Sequence, residues 1–494
     1  MSEKYVLGID QSTQGTKALL FNSDGLLIVR CDLPHKQMVN EKGWVSHDGN
    51  EIFENVIKLI PMVVDKASID KNDITCVGIS NQRETSIAWD KNTGLPIAPA
   101  IVWQCSRAKE ITEKLSEKGY GDLVREKTGI PLSPYFPAAK ISWILGNIDG
   151  AREKDLTGDL RYGTMDSYLI YRLTGGNSYK TDYSNASRTQ LFNLYSLQWD
   201  REIGKLFGIN TSNLPEVCNS DEFFGETDFN GFLDRKIPIL CALGDSHGAL
   251  FGQGCHTKGM IKATYGTGSS IMMNIGDKPI QSKHGLVTSL AWGFDGKVQY
   301  VLEGNLNYTG AVISWLKDDV QLIGSAGETE ELVKKANPAD TTYLVPAFTG
   351  LGAPYWKNDA KAILIGMSRT TGKAEIVKAG LDCIAYQITD IILAMAEDSA
   401  VKINGLRVDG GPTRNEYLMQ LQSDLTDIPV QVPDVEELSG MGAAYGAGIT
   451  YGLYKKEDIF QNINRKEFKP SMNPSDKEIK YQGWKQAVSV ILNK

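Results

Sequence analysis

The chain has 494 residues, too many for one hydrophobic core, so two or more domains are expected. Its composition, 41% hydrophobic and 23% charged, is that of an ordinary globular protein, and a net charge of −8 argues against nucleic acid as a partner. No apolar leader precedes the first strand and no run of 18 apolar residues appears, so a soluble, cytoplasmic protein with no membrane partner is expected. The seven cysteines are widely spread with no CxxC, which suits reduced packing thiols; the five histidines lack metal-ligand spacing.

The opening "YVLGIDQSTQGTKALLFNSDG" reads as strand, polar loop, strand and turn. It matches neither GxxxxGK[ST] nor GxGxxG, and a strand, not a helix, follows the loop. Such a loop can still hold phosphate through backbone N–H groups and short hydroxyls. Asp10 would then face Mg²⁺, mostly through water, since that ion binds few carboxylates; an Asx-type turn is the alternative. Thr13, Gln14 and Gly15 are small or polar enough to admit phosphate, and Lys17 could pair with its charge.

"ITCVGIS" (74–80) is a buried-strand candidate. Arg83 and Glu84 follow it. They are either a solvated charge pair or a donor and acceptor for a polyhydroxylated ligand. Residues 85–103 read as strand, turn and strand, while 134–147 and 164–176 carry helical spacing. Trp103 and Tyr135 are core aromatics unless their context makes them a pocket wall. "IPILCALGD" (237–245) is a buried strand ending on Asp245, which suits a general base or a helix N-cap. The run Asp245-Ser246-His247 does not read as a hydrolase triad, because chain neighbours rarely converge and GxSxG is absent. Residues 259–276 repeat the strand–turn–strand plan of the opening, with Thr267 in the turn. Residues 373–400 form one long buried helix, and 406–424 read as strand, Gly410-Gly411, then helix, a place for adenine or phosphate. The hairpin loops near 10–17 and 265–270 each open about half of the chain. They predict two similar α/β lobes, residues 1–250 and 251–494, with a ligand in the cleft between them.

The stretches "DQSTQGTKALLF", "NQRETSIAWDKNTGLPIAPAIVWQC", "PYFPAAKISWIL", "TDYSNASRTQLFNL", "TYGTGSSIMMN", "VPAFTGLGAPYW" and "LRVDGGPTRNEYLMQLQSD" together resemble the FGGY carbohydrate kinases, and among them glycerol kinase, from about residue 5 to about 455. The resemblance implies two ribonuclease-H-like lobes of the actin/sugar-kinase/Hsp70 type, ATP with Mg²⁺ in the cleft, and phosphorylation of a primary hydroxyl. By the same resemblance Asp245 is the catalytic base and Asp10 the magnesium-side carboxylate. Arg83, Glu84, Trp103 and Tyr135 are the polyol contacts. Thr13, Gln14, Gly15, Lys17, Thr267, Gly310, Gly411 and Asn415 are the nucleotide contacts. Asp10 and Asp245 are expected to meet across the closing cleft.

Three positions depart from the glycerol kinase pattern. Ser246 stands where Gln is usual, Ser270 where a large aromatic is usual, and Ser314 where Gln is usual. Ser246 and Ser270 would line a larger, more polar substrate pocket, which predicts a four- or five-carbon polyol or ketose such as xylulose. A true glycerol kinase is the alternative. An actin- or chaperone-like ATPase has no use for the Arg83–Glu84–Trp103–Tyr135 set. "FNGFLDRKIP" lacks the His through which some family members are regulated, and a homodimer or homotetramer is expected.

Overall fold

Two sheets built on one plan organise residues 3–493, the part of the chain that the computed structural model describes. Tyr5–Gln11 (β1), buried throughout, forms an antiparallel hairpin with Gly15–Phe21 (β2), which pairs with Leu27–Pro34 (β3). On its other side β1 takes Ile74–Asn81 (β4) in parallel, and Ile237–Gly244 (β5) lies parallel beyond β4. These parallel strands are covered on both faces, which is why their sequences are near-continuous apolar runs. The second sheet repeats the arrangement. Met260–Tyr265 (β6) pairs antiparallel with Ser269–Gly276 (β7), which pairs with Lys297–Leu306 (β8); Gly405–Asp409 (β9) and Val430–Pro433 (β10) continue in parallel from β6. Each half thus has a central strand with an antiparallel meander on one flank and two parallel strands on the other, the duplicated α/β plan expected from the sequence.

A smaller five-stranded sheet, formed by Gln37–Val39, Val45–His47, Ala100–Ile101, Ser86–Asp90 and Leu160–Thr164, grows from the first half. Its strands carry the chain from Glu84 towards Trp103.

Four helices matter for the site: Asp245–Gly252 (α1), Lys373–Ser399 (α2), Glu416–Thr426 (α3) and Leu438–Tyr451 (α4). α2 is long and apolar enough to cross a membrane, yet most of it is buried in the core of the second half. α4 comes late in the chain but lies on the first sheet, where the backbone of Gly440 and Ala443 rests on Gly8 and Gly78. It also crosses α1. A methyl group added at Gly442 would strike the Gly248 carbonyl oxygen, so glycine is what lets the two helices meet backbone to backbone. All seven cysteines are free and buried.

Candidate active site

The first wall of the site is the C-terminal edge of the parallel strands β1, β4 and β5, the usual place for ligands in open α/β sheets. Asp10 is the penultimate residue of β1, Arg83 and Glu84 follow β4, and Asp245 follows β5. Asp10 and Asp245 therefore do not face each other across the cleft as expected. They stand on one sheet edge with β4 between them, roughly 10 Å apart by strand spacing.

Asp10 lies inside the strand rather than in an Asx turn, opposite Lys17 on β2 and Ser80 on β4. Its side chain is 7% exposed and its Oδ1 has no hydrogen-bond partner. Burial pushes the carboxyl up to about 6 against the pull of Lys17. The Lys17 ammonium is 2.7 Å from Glu437 Oε2 and 3.9 Å from Asp10 Oδ2, so two carboxylates already share its charge.

Asp245 is more open, with 36% of its side chain exposed. Gly244 holds the N-cap position of α1 and makes no side-chain cap. The Asp245 Oδ1 accepts only from the adjacent Ser246 amide, at 2.6 Å, and so does not cap the helix. The Arg83 Nε lies 3.2 Å from the same oxygen. Ser246 is half-buried in the first turn of α1. His247 is buried and kept neutral by that burial, with Nε2 3.4 Å from Ser289 Oγ, so it forms no relay with Ser246.

Arg83 and Glu84 are not a solvated pair. They belong to a buried, charge-balanced quartet with Arg188 and Glu303. Glu303, on β8 of the second half, accepts from Arg83 Nη1 (3.0 Å) and Nη2 (2.8 Å) and from Arg188 Nη1 (2.8 Å). Arg188 Nε donates to Glu84 Oε1 at 2.5 Å. Burial alone would push the Glu303 carboxyl up, but Arg188 and Arg83 outweigh it and hold it well below the carboxylate range. Ser270 Oγ donates to Glu303 Oε1 at 3.3 Å, so its hydroxyl supports the quartet. Glu84 has a left-handed backbone (φ 59°), an uncommon conformation for a non-glycine residue that recurs at functional sites.

An aromatic wall stands beside the quartet. The Trp103 and Tyr135 rings are 5.5 Å apart, and the Trp103 indole N–H donates to Thr13 Oγ1 at 3.0 Å, tying the wall to the β1–β2 loop. In that loop the Gly15 carbonyl accepts from the Ser12 amide (2.8 Å) and hydroxyl (2.9 Å), and the Gln14 carbonyl from the His35 amide (3.3 Å).

The second wall carries a cavity of about 820 Å³ lined by Gly266, Thr267, Gly310, Ser314, Gly411 and Asn415 among others. The β6–β7 turn is stitched to the start of the 310–314 helix. The Gly266 carbonyl accepts from the Gly310 amide (2.9 Å), and the Thr267 carbonyl from the amides of Thr309 (3.1 Å) and Ala311 (3.0 Å). Gly410 takes φ +101°, and a Cβ there would run into the Tyr265 carbonyl oxygen, whereas nothing lies within 4 Å of where a Gly411 Cβ would stand. Asn415 caps α3 through the Leu418 amide (2.9 Å) and donates to Thr329 Oγ1 (3.1 Å). The eight sequence-predicted nucleotide residues thus divide evenly between the walls.

Sequence reasoning missed Glu303, Arg188 and Glu437. A lone carboxylate within the apolar strand "YVLEGNL" was the available signal for Glu303, because a charge buried there needs a partner.

The description "FGGY family of carbohydrate kinases" fits both halves, its N-terminal domain over residues 5–252 and its C-terminal domain over residues 261–451. The chain belongs to this family. It is a kinase that transfers phosphate to an alcohol group, and the reading as an ATPase without such an acceptor falls away. A glycerol kinase of Oceanobacillus iheyensis is 46% identical over 490 residues, 99% of this chain and 98% of that relative. The crystal structure of Plasmodium falciparum glycerol kinase with ADP superposes with a TM-score of 0.94 at 33% identity, covering 99% of this chain and 98% of that one. A ligand-bound xylulose kinase from Lactobacillus acidophilus covers 99% of this FGGY kinase and 97% of its own chain, with a TM-score of 0.88; at 22% identity it shares the fold.

Proposed function

We propose that this FGGY kinase is a glycerol kinase, moving the γ-phosphoryl group of ATP to a primary hydroxyl of glycerol. The observation that carries the reading is the quartet, which holds Arg83 and Glu84 beside Asp245 and against the Trp103–Tyr135 wall. Glycerol is favoured over a four- or five-carbon polyol or ketose on two grounds. Full-length relatives at 43–46% identity are glycerol kinases, while the xylulose kinases share 22% identity or less. The Ser270 hydroxyl, on which the larger pocket was predicated, is turned to Glu303.

In this reading residues 1–250 bind the acceptor and 251–494 the nucleotide. Arg83 donates to, and Glu84 accepts from, the glycerol hydroxyls, and the aromatic wall covers the carbon chain. Ser246 and Ser270 border that pocket. Asp245 takes the proton of the attacking hydroxyl as general base, held in place by the Arg83 guanidinium. The cavity of the second wall receives the nucleotide, with Gly411 leaving room for a flat base and Thr267 and Gly310 at the turn. Thr13, Gln14 and Gly15 reach its phosphates from the first wall, and Lys17 balances Asp10 and Glu437 behind them.

Magnesium fits this donor set. Asp10 offers one buried oxygen without a partner, and among the described residues no three His, Cys, Asp or Glu side chains cluster to strip the ion of water. When bound with ATP, the ion neutralises charge on the phosphates.

The test is a panel of glycerol, four-carbon and five-carbon polyols and ketoses, each with ATP. Glycerol is expected to have the highest kcat/KM. A five-carbon acceptor exceeding it tenfold would overturn the proposal.

A further inference from the structure

Lys140, on the helix Pro137–Asn147, is completely buried, yet no carboxylate lies within 4 Å of its ammonium among the described residues. Its Nζ donates to two backbone carbonyls, that of Glu84 at 3.3 Å and that of Tyr135. The first belongs to the left-handed residue after β4, the second to the loop that presents the aromatic wall. The same Nζ sits 5.8 Å from the Tyr135 ring centroid. A charge buried without a counter-ion is costly, and cheaper side chains could fill the space. What an ammonium supplies there is donors for two carbonyls that would otherwise be left unsatisfied.

We infer that Lys140 is a positioning residue for the acceptor pocket: it ties the Glu84 turn to the Tyr135 loop and so sets the distance between the pocket's carboxylate and its aromatic wall. This rests on the reading of Glu84 and Tyr135 as acceptor contacts. The Glu84 carboxylate is held from the other side by Arg188, so the residue is gripped at both ends.

Loss of a proton weakens the clamp without opening it, since a neutral amine keeps two N–H donors for the two carbonyls but not the charge that strengthens both bonds. Burial pushes the ammonium down to about 7. The ionisable groups facing it are the Glu84 carboxylate, the Cys105 thiol, the Arg107 guanidinium and the Tyr135 phenol. Glu84 is paired with Arg188 and the phenol is raised further by burial, so the control variant is made at Cys105.

The experiment measures acceptor binding by calorimetry, and steady-state kinetics, with whichever acceptor the wild-type enzyme prefers. That preference tests the proposed function separately. In Lys140→Met the acceptor Kd and KM should rise at least tenfold while the KM for ATP stays within twofold. In the wild-type enzyme acceptor binding should weaken as pH rises through about 7. Cys105→Ser should keep that profile and Lys140→Met should lose it. Acceptor and ATP constants moving together, or an acceptor affinity flat between pH 6 and 9 in the wild type, would overturn the inference. The wild-type profile decides the matter if the methionine variant does not fold.

Discussion

Glu303→Gln removes one charge from the buried quartet and keeps its shape. Arg188 then keeps Glu84, while Arg83 is left with only the more open Asp245 carboxylate, in a site where Arg83, Arg188 and Glu303 are all less than 10% exposed. Three charge-assisted hydrogen bonds are weakened at once, at 2.8, 2.8 and 3.0 Å. Leaving a buried charge uncompensated costs about 3–5 kcal/mol. The cost also reaches the chemistry. Arg83, short of an anion, draws the Asp245 carboxylate 3.2 Å away more tightly and makes it a weaker proton acceptor. The variant should therefore lose about 3–5 kcal/mol in urea unfolding, and in a coupled ADP-release assay show both a raised glycerol KM and a reduced kcat. Arg188→Gln added to it restores charge balance and should recover at least about 1 kcal/mol, within the range of coupling between residues of one network. Strictly additive losses in the double variant, or a single variant within about 1 kcal/mol of wild type, would refute the view that these four side chains act as one unit.

Asp245→Asn should bind glycerol and ATP with near-normal affinity while turnover falls by roughly 10²–10⁴-fold, the worth of a general base; normal turnover would remove Asp245 from the chemistry. Gly442→Val forces a side chain into the Gly248 backbone and should cost at least about 2 kcal/mol, read as a lowered melting temperature; unchanged melting would mean that the helices can part without loss. Four of the five histidines, His35, His47, His247 and His256, are held neutral by burial, with His47 and His256 pushed down to about 3. The contribution of His47 and His256 is present above the unfolded value near 6.5 and is lost as pH falls towards 3, because the unfolded chain takes up protons first. His47→Asn should flatten the acid limb of the stability curve by up to about 1.4 kcal/mol per pH unit; parallel limbs would count against its burial as the cause.

The two lobes were legible because each hairpin is local. Tyr5–Phe21 and Met260–Gly276 write their strands and turns within some twenty residues, and the apolar runs of β4 and β5 follow from burial on both faces. The long helix 373–399 was legible for the same reason. The site was legible where residues sit at strand ends, as Asp10, Arg83 and Asp245 do. It was not legible where a residue's role depends on a distant partner. Glu303 meets Arg83 across 220 positions, and Glu437 meets Lys17 across 420; no spacing rule reports either pairing. Asp245 shows the limit from the other side, since its position allowed a helix cap and only the bonding of its carboxylate showed that it is not one.

The lodging of α4 on the first sheet has a consequence for biogenesis. Strands β1 and β4 are made early, but the element that covers Gly8 and Gly78 leaves the ribosome only after the whole second half has been translated. At about 5–20 residues per second, the stretch from Gly252 to Leu438 delays that cover by roughly 10–40 s. During this interval the nascent amino-terminal half carries a bare apolar face, which makes it a client for holding chaperones and makes fragments ending before residue 438 prone to aggregate.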